Sequence, residues 1–284
     1  MAAKFGPAGT SDDFKAQGYK HSLDVPKYLC EKGLDHFEYQ CGRGVNIGTD
    51  KATVLGEEFA KHSLSVSLPA PFYISMSSVE EEKRLNSVNY ILQSARAVNA
   101  MGGDRIVVHT GSCGKISREE ALSLASDTMR LALNALKEEK LEHIHICPET
   151  MGKINQLGTL EEVIALCKID ESIIPCIDFG HLNARTLGSV NGKDEYERIL
   201  SLIENELGSD RLKAFHSHFS KIEYTSGGEK RHLTFSDTVF GPDYEPLMEL
   251  VFKKNLSPIF VCESAGTQSD DALAMKNYYN SLKG

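Results

Sequence analysis

Five short apolar runs each end in a side chain able to hold a metal ion: Val108-His109, Pro148-Glu149, Ile177-Asp178, Phe215-His216 and Cys262-Glu263. A lone acid after a strand usually caps a helix or solvates a loop. Five such residues, all nitrogen or oxygen donors, make a stronger pattern. Imidazole with carboxylate suits Zn2+, Mn2+ or Mg2+ rather than Cu(I) or an iron–sulfur cluster. More donors stand beside these. His181 follows Asp178 by three residues, His218 follows His216 by two, and Glu229 and His232 share a polar loop after Gly227-Gly228. His143 and His145 precede Glu149 in the same run and are read as core or supporting histidines.

Residues so far apart along the chain can meet only if the fold gathers strand ends. Short β-rich runs lie at residues 35–41, 64–69, 104–109, 143–149, 173–178, 211–216 and 258–263, with a weaker first member at Lys4-Phe5-Gly6. Segments of helical period alternate with them, at 79–101, 117–138, 160–168, 195–206, 244–254 and 270–282. Ser117 with Glu120 forms a capping signal, and Thr159 is placed to cap the next helix. Eight strands alternating with helices predict an α/β (β/α)8 TIM barrel, in which all strand C-termini open on one face. The chain reads as one domain, residues 1–284. No Gly-rich phosphate loop follows an early strand, which argues against a doubly wound nucleotide-binding fold.

Composition limits the alternatives. The 284 residues are 41% hydrophobic and 25% charged, an ordinary globular balance that excludes a disordered or collagen-like chain. A formal charge of -9 argues against coating nucleic acid by bulk charge but leaves room for a local basic patch. Seven widely spaced cysteines without a CxxC pair are not a disulfide framework or a zinc knot. With no apolar leader and no run near the roughly 18 residues of a membrane span, a cytoplasmic location is expected.

The ordered set His109 in VVHTGS, Glu149 in CPETMGK, Asp178 and His181 in CIDFGH, His216 in FHSHFSK, His232 in GEKRH and Glu263 in CESAG resembles the metal ligands of the endonuclease IV family. These are zinc-dependent apurinic/apyrimidinic endonucleases on a TIM barrel. The resemblance implies two or three Zn2+ ions. His109 and Glu149 would serve one. Glu149 would bridge to a second, completed by Asp178, His216 and Glu263, and His181, Glu229 and His232 would hold the third. His216 is preferred to His218 because its distance to Lys221 matches the family segment. Glu149 and Glu263 would be the catalytic carboxylates. Double-stranded DNA carrying an abasic site would be the partner, met by a monomer through Arg43, Phe72, Tyr73 and Lys221, with Lys153, Arg185, Lys230 and Arg231 adding positive charge to the rim. The chain departs from the family at Pro69, where a ligand His is usual, and a proline has no donor for a metal. The subset Glu149, Asp178, His216 and Glu263 also resembles the single Mn2+ or Mg2+ site of the sugar isomerase and epimerase branch, which is the alternative.

Overall fold

The structure, a computed structural model, describes residues 2–41 and 43–284. Eight strands run parallel: β1 (Lys4–Pro7), β2 (His36–Glu38), β3 (Ser65–Pro69), β4 (Arg105–Val108), β5 (His145–Pro148), β6 (Cys176–Asp178), β7 (His216–Phe219) and β10 (Ile259–Cys262). They form two four-stranded arcs, β1-β10-β7-β6 and β2-β3-β4-β5. Parallel bridges Ala8–Glu38 and Glu149–Cys176 close both seams. The result is the expected (β/α)8 barrel. An antiparallel hairpin, β8 (Lys221–Thr225) and β9 (Gly228–Leu233), is added after β7.

Helices α1 (Asp12–Ala16), α2 (Val25–Lys32), α3 (Thr49–Lys61), α4 (Glu81–Ala100), α5 (Arg118–Glu138), α6 (Leu160–Cys167), α7 (Phe179–Arg185), α8 (Lys193–Leu207), α9 (Ser209–Lys213), α10 (Glu245–Lys253) and α11 (Gln268–Ser281) lie in the connections. Both anticipated caps form. Ser117 Oγ accepts from the Glu120 amide at 3.1 Å. Thr159 and Glu162 make a reciprocal capping box. In α5 the buried stripe is Ala121, Ala125, Met129, Ala132 and Leu136, while the larger Leu131 turns to solvent. Alternation places Phe5 and Phe260 outward, stacked at 5.5 Å and with Phe5 against Tyr279 of α11.

One strand differs from expectation in a way that matters for the site. The run 211–216 is not a strand. Residues 209–213 form α9, and β7 begins at His216. His216 therefore opens its strand instead of ending it. Register confirms the level: His216 pairs with Cys176, whereas His218 pairs with Asp178.

Candidate metal centre

The strand C-termini converge on one mouth. Glu149, 1% exposed just past β5, takes three imidazoles: His109 Nε2 at 3.1 Å, His218 Nδ1 at 3.0 Å and His181 Nδ1 at 3.3 Å. Burial raises the pKa of its carboxyl, but His218 and the hydrogen-bonding His109 and His181 outweigh it and hold the group well below its ordinary value. Asp178 ends β6 and also caps α7, accepting the His181 amide on Oδ1 at 2.7 Å. The cap and the ligand reading are both satisfied, because Oδ2 remains. That oxygen is buried and has no hydrogen-bond partner.

Donor atoms of Glu149, Asp178, His218 and Glu263 lie within 4.8 Å of one another, and so do those of His181, Glu229 and His232. His181 Nε2 is 3.4 Å from Glu229 Oε2, and His232 Nδ1 is 3.9 Å from Glu263 Oε2. Burial disfavours a charged His181, yet Asp178, Glu149 and Glu229 push its pKa up to about 10. Without a metal, protonated imidazoles balance these carboxylates, a role that a bound cation can take over. The orphaned Asp178 Oδ2 and the all-oxygen-and-nitrogen donor set fit a divalent ion of the Zn2+, Mn2+ or Mg2+ kind.

His216 is a correction. It lies below the mouth, with Nε2 3.2 Å from Glu38 Oε2, and it is His218 whose ring nitrogen stands with the oxygens of Glu149, Asp178 and Glu263. The cause is the late start of β7, since side chains two residues apart share a face but sit at different depths. His143 is also exposed instead of buried, bonded to Asn99. Glu38 was absent from the sequence reading. It is fully buried, accepts from Ser67 Oγ at 2.8 Å and faces both His216 and His218. His36 Nε2 bonds the same Ser67 hydroxyl at 2.8 Å. The only sequence signal was two polar residues, His36 and Glu38, alternating within a strand.

Close packing positions the second donor group. A Cβ at Gly152 would stand 2.6 Å from Glu229 Cβ and 2.8 Å from His181 Cδ2, so any other residue at 152 must displace these side chains. Two arginines hold this loop. Arg118 forks onto Glu162 at 2.7 Å and donates to the Ile154 and Gln156 carbonyls. Arg185 donates to the Met151 carbonyl, so it serves the loop instead of the rim.

Of the DNA candidates, Phe72 is 60% exposed and lines the 270 Å³ cavity at the mouth together with Lys153. Tyr73 is also exposed and packs its ring on Tyr90, with Gly44 close to its hydroxyl, so the loop of the exposed Arg43 borders it. Lys221 is largely buried, 3.0 Å from Asp243 and donating to the Asp237 carbonyl, because β8 turns it toward that loop. Lys230 and Arg231 both pair with Glu223.

Residues 27–278 match the model of the Xylose isomerase-like TIM barrel family, and the chain belongs to that family. An uncharacterized protein of Methanocaldococcus jannaschii is 34% identical over 278 residues, 96% of each chain. A "Probable endonuclease 4" of Mycoplasma pneumoniae is 27% identical over 70% of this chain and 68% of its own. The 3-keto-D-glucoside 4-epimerase of E. coli superposes with a TM-score of 0.69 over 99% of both chains at 19% identity, a likeness of fold alone.

Proposed function

We propose that this protein is a zinc-dependent phosphodiesterase that cuts DNA on the 5′ side of abasic sites, in the manner of endonuclease IV. The observation that carries the reading is the second donor group, His181, Glu229 and His232, with His109 on the far side of Glu149. One ion on Glu149, Asp178, His218 and Glu263 would leave these four residues without a metal to hold. The similarity to a probable endonuclease 4 supports it.

Glu149 would hold the two donor groups together, its carboxylate shared among three histidines. When bound, divalent ions supply the Lewis acidity that makes water nucleophilic at neutral pH and screens a reacting phosphate. Glu263 turns Oε1 to His218 and Oε2 to His232. Burial first, then Glu149 and Asp178, raise its proton affinity. Its carboxylate would orient the attacking water and take its proton. An abasic nucleotide leaves the stack at low cost, and the exposed Phe72 ring offers a face to fill the gap. The seven free thiols agree with a reducing cytoplasm, and no helix among the described residues is long and apolar enough to cross a membrane.

The test is incision of a duplex carrying a tetrahydrofuran abasic analogue by zinc-replete protein, with Glu149→Gln as control. Nicking by the wild type alone supports the proposal, and absence of nicking overturns it. The second reading, a single-metal sugar epimerase on Glu149, Asp178, His218 and Glu263, is favoured by Pro69 and by the engagement of Lys221 with Asp243 and of Lys230 and Arg231 with Glu223. Exchange of solvent deuterium into a ketose would select it.

A further inference from the structure

The opposite, N-terminal mouth of the barrel holds a cavity of about 470 Å³ that the metal centre does not use. Arg105, the first residue of β4, lines it and is 8% exposed. Its Nε and Nη1 are buried and have no hydrogen-bond partner. Its ion-pair neighbour, Asp104, lies 3.8 Å from Nε, beyond hydrogen-bond reach, with a side chain 62% exposed. A buried guanidinium left in this state is strongly unfavourable unless an anion completes it. Residues at this end of a barrel ordinarily serve stability, and a buried charge whose guanidinium nitrogens lack hydrogen bonds does the opposite.

The surroundings suit an incoming anion. Lys4 and Lys213 line the same cavity, against Asp104 and Asp210, so the walls carry a net positive charge. The planar fork of an arginine binds two oxygens of a phosphate or carboxylate at once. The cavity is larger than a bare ion, and Val66 and Ile259 give it apolar wall. We propose that the N-terminal mouth binds a small organic oxyanion, its phosphate or carboxylate on Arg105 with Lys4 and Lys213 and its apolar part against Val66 and Ile259.

The test follows the Arg105 Nε–Hε resonance of the zinc-loaded, ¹⁵N-labelled full chain during titration with inorganic phosphate, with acetate, and with chloride at matched ionic strength. A saturable shift with phosphate identifies a phosphate site, and one with acetate alone identifies a carboxylate site. Equal response to all three salts, or none, overturns the proposal. Two variants guard against a folding artefact. Lys213→Gln, at an exposed helical position, should weaken binding of the effective anion by about two- to five-fold. Arg105→Met removes the uncompensated charge, so it should melt higher than wild type in chloride and lose the anion-dependent rise in Tm. A rise in Tm kept in full by Arg105→Met would place the anion elsewhere and also overturn the proposal.

Discussion

Glu38 Oε1 lies 2.9 Å from His218 Nε2, inside the barrel, while the other nitrogen of the same ring faces Glu149 at 3.0 Å. The imidazole is thus held between a carboxylate at the mouth and one behind it. The Glu38–His218 pair is at ion-pair distance but off hydrogen-bond alignment, and both atoms are buried without another partner. Burial opposes a charge on His218, but Glu38 leads the neighbours that raise its pKa well above the ordinary value. A carboxylate behind a ligand histidine fixes the ring and strengthens it as a donor.

Glu38→Gln should therefore weaken metal binding by about 10- to 100-fold without touching any ligand. Competition with a chelator measures it, and unchanged affinity would remove Glu38 from the support of the site.

His218→Ala and His216→Ala separate the two candidate ligands. His218→Ala should lose the ion held with Glu149, Asp178 and Glu263, whereas His216→Ala should keep the metal content of the wild type. Elemental analysis of protein purified without chelator decides between them. The reverse pattern would restore His216 as the ligand.

Metal loading should release protons. His181 has an ordinary pKa of 6.5, raised to about 10 by its carboxylates against the effect of burial, so in metal-free protein it is an imidazolium at neutral pH. A ligand histidine must be neutral. Metal affinity should rise with pH across that window, and calorimetry in buffers of different ionisation enthalpy should show proton release near pH 7. The metal-free fold behaves oppositely. Because the folded pKa lies above the unfolded one, the stability His181 contributes is full below about 6.5 and is lost as pH rises toward 10. Thermal melts with and without zinc check the sign.

Gly152→Ala should damage the second donor group selectively. Its methyl would meet Glu229 Cβ and His181 Cδ2. The expected cost is about 1–3 kcal/mol of stability, together with loss of the ion assigned to His181, Glu229 and His232. Calorimetry and metal analysis of the same sample read both effects. Full metal content at wild-type stability would show that the loop yields freely.

Much of this was legible in the chain itself. Strands read at 104–109, 143–149 and 258–263 reappear as β4, β5 and β10, because apolar runs bounded by polar residues carry a local signal. His109, Glu149, Asp178 and Glu263 reach the mouth because each directly follows, or ends, such a run. The β8–β9 hairpin carrying Glu229 and His232 read only as a polar loop, although Ser226-Gly227 between alternating residues is a turn signal. Between His216 and His218 the chain gives no decision: Arg211 to Phe215 looks like a strand ending at His216 but partly forms α9, and the strand itself starts at His216.

The sequence by itself determined the alternation of strands and helices, and with it the barrel and the gathering of donors at one end, since hydrophobic period is a property of neighbours along the chain. Only the tertiary structure decided which of two histidines enters the mouth, that Glu38 stands behind it, that Lys221 turns toward Asp243, and that Arg105 lies buried with Nε and Nη1 lacking hydrogen bonds. Depth and pairing depend on the register between strands distant in the chain, and no local pattern encodes that register.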